Sequence, residues 1–438
     1  MTGVTRKAAL AAIAPLVVLG AVALEVVSYL ALRRYGQGID GMSTVAWEEF
    51  PEITPELLEK FSSFDARLGW SPQPNTKKRK DTGDHLPGEE LETVVEYSTD
   101  EYGSRISQRE RDPDADVTLS TYGDSYCFCR GVNDDETIQH YLSERLDTHV
   151  SNYGGGNYGF DQALMRLERK YPEDPTDYVA VIVTASSMAR ILSVWKHYQE
   201  FGNVLAVKPR YTLEDGELER LSNPIDEKDD MLDLESRAET LRAEDHHYDP
   251  WFLSHLAGFP YTSSFLQYPD QVRYALYGAL TDLESRYDVS VPGIDAGARL
   301  AEADTALEKP KVDYHDDLYD EESDLFEALV GEFVDYADEQ EFTPVFVMVQ
   351  QLRYAKFGPE DRPIYGDLLG RLDERYDDLQ TVDMAERLTP DDGDVESLYV
   401  RRGEGGHYSP QTNERIAEVL LEEAVEEDVG EKSTASHD

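Results

Sequence analysis

The chain has 438 residues, more than one ordinary domain needs, and carries 90 acidic against 41 basic residues for a net charge of −49. That balance argues against nucleic acid or anionic lipid as the main partner, and 40% hydrophobic content with 27 tyrosines excludes a disordered chain. The acid is spread along the whole sequence, so it reads as the surface of a folded protein in concentrated salt, where self-repulsion is screened within a few Å and carboxylates keep the protein soluble; a halophilic archaeon is the source this composition suggests.

Residues 1–36 read as an N-terminal transmembrane signal-anchor. Ala8 to Leu32 is nearly all apolar, broken by Glu25, and is about long enough to cross a bilayer. Arg6 and Lys7 precede it and Arg33 and Arg34 follow, so flanking charge does not fix the orientation. A cleaved signal peptide is the rival reading, weakened by the length of the run and the lack of an A-x-A site. An uncleaved anchor would leave the rest of the chain outside the cell, in the salt its surface suits.

Residues 37–115 read as a linker and β-rich approach segment, with turn-rich Leu68–Asn75, a basic run Lys77–Lys80 read as a solvated loop, and a strand near Thr93–Tyr97. From 116 to 424 the pattern is β/α. Strands are expected at Val117–Tyr122, Thr148–Tyr153, Tyr178–Thr184, Pro344–Val349 and Leu379–Met384. Helices are expected at Asp135–Leu146, Phe160–Lys170, Met188–Tyr198, Ser323–Ala337, Tyr365–Tyr376 and from Pro410 to Ala424. Such alternation predicts an α/β fold, a parallel sheet with helices on both faces and a site at the strands' C-terminal ends. Residues 200–320 break the rhythm and read as a central insertion, a cap or one side of the cleft. It contains a hairpin around Asp215-Gly216 and the aromatics Trp251, Phe252, Phe259, Tyr261 and Phe265, which would stack on sugar rings or form the insertion's own core. Residues 425–438 read as a disordered acidic tail.

Three places carry chemistry. Gly123-Asp124-Ser125 ends a β-prone run just before a helical segment, which holds one hydroxyl at the mouth of a strand-to-helix turn. Asn152-Tyr153-Gly154-Gly155-Gly156-Asn157 is a glycine-rich turn after the next strand. Glu404-Gly405-Gly406-His407 precedes Ser409-Pro410, a helix start. A serine nucleophile needs a base, an acid to orient that base, and donors for the oxyanion. Ser125, His407 and Glu404 fill the first three roles, and the backbone N–H groups of Ser125 and of Gly156 or Asn157 the fourth. The bland alternative is a Rossmann-like domain whose serine merely caps a helix. The two cysteines, Cys127 and Cys129, are too close in sequence for an unstrained disulfide and read as packing residues. No metal or cofactor is expected.

These residues resemble the SGNH (GDSL-type) hydrolase family over roughly 117–200 and 322–424. Gly123-Asp124-Ser125 is similar to its first block, Asn152–Asn157 to its second, with the family's donor glycine falling on Asn157, and Glu404–His407 to its Asp-x-x-His block with Glu in place of Asp. The third block is not matched: Thr184-Ala185-Ser186-Ser187 stands in its place, with Ser186 where the family has a donor asparagine. The resemblance implies an SGNH hydrolase fold, with a flavodoxin-like parallel sheet and helices on both faces, an acyl-serine intermediate and an ester substrate. The N-terminal span, the Leu-Gly-Trp segment and the Thr-Asp-x-x-Gly-x-Arg turn resemble membrane-anchored members associated with surface polysaccharides. The expected substrate is therefore an acylated surface glycan. Three activities stay open: an esterase, an O-acyltransferase that would need a membrane partner to deliver the acyl donor, and a non-catalytic glycan-assembly protein.

Overall fold

Tyr178–Thr184 is a continuous apolar run, and all seven residues are buried. A strand in that state must have both faces covered, and it lies at the centre of a five-stranded parallel sheet. The strands are β1 (Leu119–Gly123), β2 (Ser151–Gly154), β3 (Tyr178–Thr184), β4 (Thr343–Val349) and β5 (Gln380–Asp383), in the order β2-β1-β3-β4-β5. This is the flavodoxin-like order, whose reversal between β1 and β3 opens a crevice at the strands' C-terminal ends. The computed structural model describes residues 2–36, 44–81, 94–112, 114–267, 269–287, 290–390, 393–400 and 406–425. Glu404 and the acidic tail from 426 lie outside them.

Alternate residues along the strands feed two cores, as the two-residue period of a strand requires. Tyr122, Val179, Val181, Val183, Phe346 and Met348 pack on one face with the helices Phe160–Lys170, Ser323–Gln340 and Gly366–Arg375. Leu119, Ala180, Ile182, Val345, Val347 and Val349 pack on the other with Ile138–Leu146 and Pro410–Ala424. The last helix begins where Ser409 accepts the Thr412 N–H and Pro410 takes the first turn.

Two expectations fail locally. Met188–Tyr198 does not form one helix, which stops at Ile191. The Asp245 carboxylate takes the N–H groups of Val194 at 2.7 Å and Trp195 at 2.8 Å and pulls both amides off a helical ladder. The basic run is not a loop. Lys77–Asp81 is a strand antiparallel to Val94–Ser98, and Lys77 pairs with Glu96 at 2.5 Å across the ribbon.

The chain divides into two compact units, and the expected insertion does not belong to one of them alone. Residues 204–246 and those from 311 onward belong with the sheet, together with 52–196. Residues 247–310 form a second unit with 1–51 and 197–203. In that unit the helix α1 (Thr2–Tyr35) is met by α2 (Tyr261–Gln267) and α3 (Pro269–Tyr287). The aromatics of 251–265 mostly serve this unit's own core. Phe252 is buried against Tyr198, Phe201 and Tyr248. Tyr261 meets Tyr29 and Trp47, and Phe265 packs on Leu32, Val45 and Ala257. The reading of these rings as a sugar platform is left with Phe259, which is 79% exposed.

Candidate active site

Gly123 closes β1 with φ +149°, and a Cβ there would stand 1.9 Å from the Ile182 carbonyl oxygen, so only glycine lets the chain turn here. Asp124 follows, fully buried. One of its oxygens accepts from the Tyr126 N–H at 2.8 Å, bending the turn back on itself. The other accepts from the Thr184 hydroxyl at 2.7 Å, the Thr184 N–H at 3.2 Å and Arg190 at 2.8 Å. The same Arg190 nitrogen donates to the Tyr158 carbonyl at 3.0 Å, so one ion pair ties the ends of β1 and β3 to the turn after β2. Both Asp124 oxygens are satisfied, which is what a buried carboxylate needs to stay charged beside its partner. Asp124 thus positions the turn, and Ser125 is left at its apex, 4% exposed.

The structure brings Ser125 and His407 together across 282 positions of sequence: His407 Nε2 lies 2.8 Å from Ser125 Oγ. The imidazole is held from several sides. Tyr126 stacks on it with ring centres 4.5 Å apart, and the Tyr126 hydroxyl donates to the Gly406 carbonyl at 2.7 Å. The His407 carbonyl accepts from Val400 N–H at 2.8 Å, and the Tyr408 hydroxyl donates to Gln350. Gly406 has φ +68°, and a Cβ on it would come within 2.8 Å of the Leu352 side chain. The expected orienting acid, Glu404, lies outside the described residues.

The expected oxyanion donors sit at the same edge of the sheet. β1 and β2 pair with Gly123 opposite Gly154, so Ser125 and Gly156 each stand two residues beyond matched strand ends. Gly155 N–H donates to the Gly123 carbonyl at 2.9 Å and locks the two turns together. Among the described residues no acceptor meets the backbone N–H of Ser125, Gly156 or Asn157. A Cβ on Gly156 would meet nothing within 4 Å, so open space lies beside it. Asn157 has φ +62°, a conformation that asparagine tolerates better than most residues. Ser186 is 6% exposed, and its hydroxyl sits 3.0 Å from that of Thr184, which is itself bonded to Asp124.

No protein-family model matches the chain, and no curated protein matches it. Solved structures that resemble it include the following two. One, from Desulfitobacterium hafniense DCB-2 and named for the G-D-S-L family of lipolytic proteins, is 9% identical with a TM-score of 0.30, covering 70% of this chain and 100% of the other. Another is 14% identical with the same TM-score, covering 70% of this chain and 95% of its own. Likeness at that level carries no argument about chemistry, so function rests on the site.

Three groups around the site have roles that the sequence reading did not assign, although Trp70 closes the Leu-Gly-Trp segment and Arg105 the Thr-Asp-x-x-Gly-x-Arg turn. Trp70 Nε1 donates to the Gly156 carbonyl at 2.7 Å, and its own carbonyl accepts the Tyr158 hydroxyl at 2.6 Å. A trans peptide is planar, so fixing the Gly156 carbonyl fixes the Asn157 N–H pointing the opposite way. Arg105 has no exposed side-chain surface and donates to the carbonyls of Phe128, Cys129 and Val132 at 2.6–2.7 Å, while pairing with Asp134 at 2.9 Å. Its guanidinium lies against the Tyr97 and Phe128 rings, 4.8 and 4.9 Å from their centres. Arg190 is the third, on Asp124 as above. The thiols of Cys127 and Cys129 are free and buried. Burial pushes the Cys129 thiol up to about 11 and Cys127 well above its ordinary value, which suits packing residues and not nucleophiles.

Proposed function

We propose that this chain is a serine esterase of the SGNH type, removing acyl groups such as acetyl from cell-surface glycans. The observation that carries the reading is the 2.8 Å contact between Ser125 Oγ and His407 Nε2 at the C-terminal edge of a doubly covered parallel sheet. With the imidazole proton on Nδ1, Nε2 accepts the serine proton as Oγ attacks the ester carbonyl carbon. The carbonyl oxygen takes the negative charge and is met by the N–H groups of Ser125 and of Gly156 or Asn157. Collapse expels the sugar alkoxide, which takes the proton back from His407, and leaves an acyl-serine. Water, deprotonated by His407, repeats the attack and releases the acid. Glu404 is the group proposed to orient Nδ1 and stabilise the imidazolium.

Backbone donors act on any acyl group, so the chemistry by itself does not choose the substrate. The glycan assignment is supported by α1, of which Ala14–Tyr35 is long and apolar enough to cross a membrane. An anchored domain outside the cell would face surface polymers. Ser186, standing where a side-chain amide donor is expected, favours a second reading in which a sugar hydroxyl replaces water and the reaction is O-acyl transfer.

The test is hydrolysis of p-nitrophenyl acetate in molar salt by the wild-type chain and by Ser125→Ala. The variant should lose at least about a thousandfold in kcat, as triad loss does. Equal rates would remove the enzyme reading on this ester. A product carrying the acyl group on an added sugar would favour transfer.

A further inference from the structure

We propose that the segment from Leu253 to Ile294 is a second membrane-contacting element, seated in the leaflet from which α1 emerges, with its exposed apolar side chains among the lipids. The inference rests on reading α1 as a retained membrane anchor and goes beyond it. α1 has 34 residues, whereas a bilayer core needs about 20. Toward its C-terminal end one side of α1 is covered by protein, while Val26, Val27 and Leu30 stay exposed. Ser28 is 1% and Leu32 0% exposed. Glu25 accepts the Thr262 N–H, Ser28 donates to the Thr262 hydroxyl, Gln271 donates to the Tyr35 carbonyl, and Arg34 and Tyr35 both reach Asp282. Cleavage after α1 would strip all of these partners from the folded unit. The contacts also set depth, since Glu25 lies ten residues, or about 15 Å, before Tyr35 along the helix. α2, which begins beside it, sits deeper than α3.

The surface around this junction is apolar in a protein that is elsewhere coated with acid. Among the described residues, ten large apolar side chains outside α1 are exposed, and eight of them lie between Leu253 and Ile294. On α3 they belong to a stripe: Val272, Leu276, Leu280, Leu283 and Tyr287 recur at helical spacing on one side. Leu276 is 55%, Leu283 51% and Tyr287 68% exposed, with Val272 and Leu280 half-buried between them. The opposite side carries Gln271, Tyr274, Ala275 and Gly278 and is buried. The exposed arginines Arg273 and Arg286 flank the stripe, long enough to reach headgroups while their stems lie on lipid. Tyr29, Trp47 and Tyr261 cluster beside α1, with the Arg33 guanidinium 4.3 Å from the Trp47 ring, the composition of an interfacial aromatic belt. α3 packs its buried side toward α1, through Gln271 and Gly278 against Tyr35, and leaves the stripe exposed. Molar salt screens the repulsion between the acidic protein and charged headgroups, leaving the apolar contact to act.

The test places a single spin label on the full chain in phosphatidylcholine vesicles in molar KCl. Labels go at Phe259→Cys, Leu276→Cys and Leu283→Cys, with Val18→Cys in α1 and Glu217→Cys on the Arg210–Leu221 hairpin as references. Cys127 and Cys129 are buried and stay silent. Oxygen partitions into lipid and a nickel chelate stays in water, so the ratio of their relaxation effects reads depth. The proposal expects that ratio to be several-fold above the Glu217 value at all three sites, and highest of the three at Phe259. If they match Glu217 while Val18 reads as lipid, the proposal is overturned and the anchor stands. If Val18 itself reads as water, the anchor fails and the proposal with it. Shielding of the three sites from both reagents, with spin–spin broadening, would mean a second copy covers this face and would also overturn it.

Discussion

Two atoms decide whether this protein does chemistry, and each is held by a residue whose identity has a steric reason. Gly123 is glycine because any side chain would overlap the Ile182 carbonyl, and Gly406 because Leu352 leaves no room and φ is positive. Trp70 has a different reason. Its indole N–H holds the Gly156 carbonyl, and through the rigid peptide it aims the Asn157 N–H. Trp70→Phe keeps an aromatic ring beside Tyr158 but deletes the donor. Losing an oxyanion donor outright costs about 10²–10³ in kcat, so its misalignment should cost about tenfold or more, with KM little changed. Steady-state kinetics on a small ester separates the two. An unchanged kcat would show that Trp70 plays no part in aiming this peptide.

At the scale of elements, the turn after β1 depends on a segment far from it. Within the 126–132 stretch Phe128 bonds to Asp124, Cys129 to Tyr126 and Arg130 to Ser125; Gln139 and Asn152 hold the Cys127 carbonyl, the Tyr97 hydroxyl takes the Gly131 N–H, and Arg105 alone gathers the three carbonyls of Phe128, Cys129 and Val132. Removing one partner of a buried ion pair costs about 3–5 kcal/mol. Arg105→Ala should lower the thermal midpoint markedly, and Arg105→Lys should recover little, since one ammonium does not span Asp134 and three carbonyls. A thermal melt in constant salt checks this; equal midpoints for wild type and Arg105→Ala would contradict the clamp.

The same scale shows what is legible in the sequence. β3 and β4 are visible because a strand covered on both faces must be apolar throughout, and a parallel sheet follows from the alternation of strands and helices, whereas the strand order does not. The Ser125 turn is visible because glycine punctuates it. The end of the helix at Ile191 is not, because its cause, Asp245, is remote in sequence from the amides it captures. The basic run at Lys77 reads as a loop because its partner strand, not its composition, makes it β. Arg105, Arg190 and Trp70 act through side-chain bonds to distant carbonyls or carboxylates; the motifs that end in Trp70 and Arg105 stand out in the sequence, but the partners that give those residues their roles do not.

For the whole molecule, charge sets the conditions. A net charge of −49 on 438 residues repels itself strongly in dilute buffer and much less in molar salt. The chain should therefore be folded in molar KCl and lose its cooperative melt on dialysis to low salt, as followed by circular dichroism. Retention of the full thermal midpoint at low salt would contradict the reading of the acidic surface as a salt adaptation. Every functional statement, however, depends on His407 activating Ser125. The most direct measurement is labelling of the intact chain with a serine-reactive phosphonate, followed by mass spectrometry of its peptides. The predicted result is one adduct, on Ser125, lost when His407 is replaced by alanine. An adduct on another serine, or one on Ser125 that forms equally fast without His407, would contradict it.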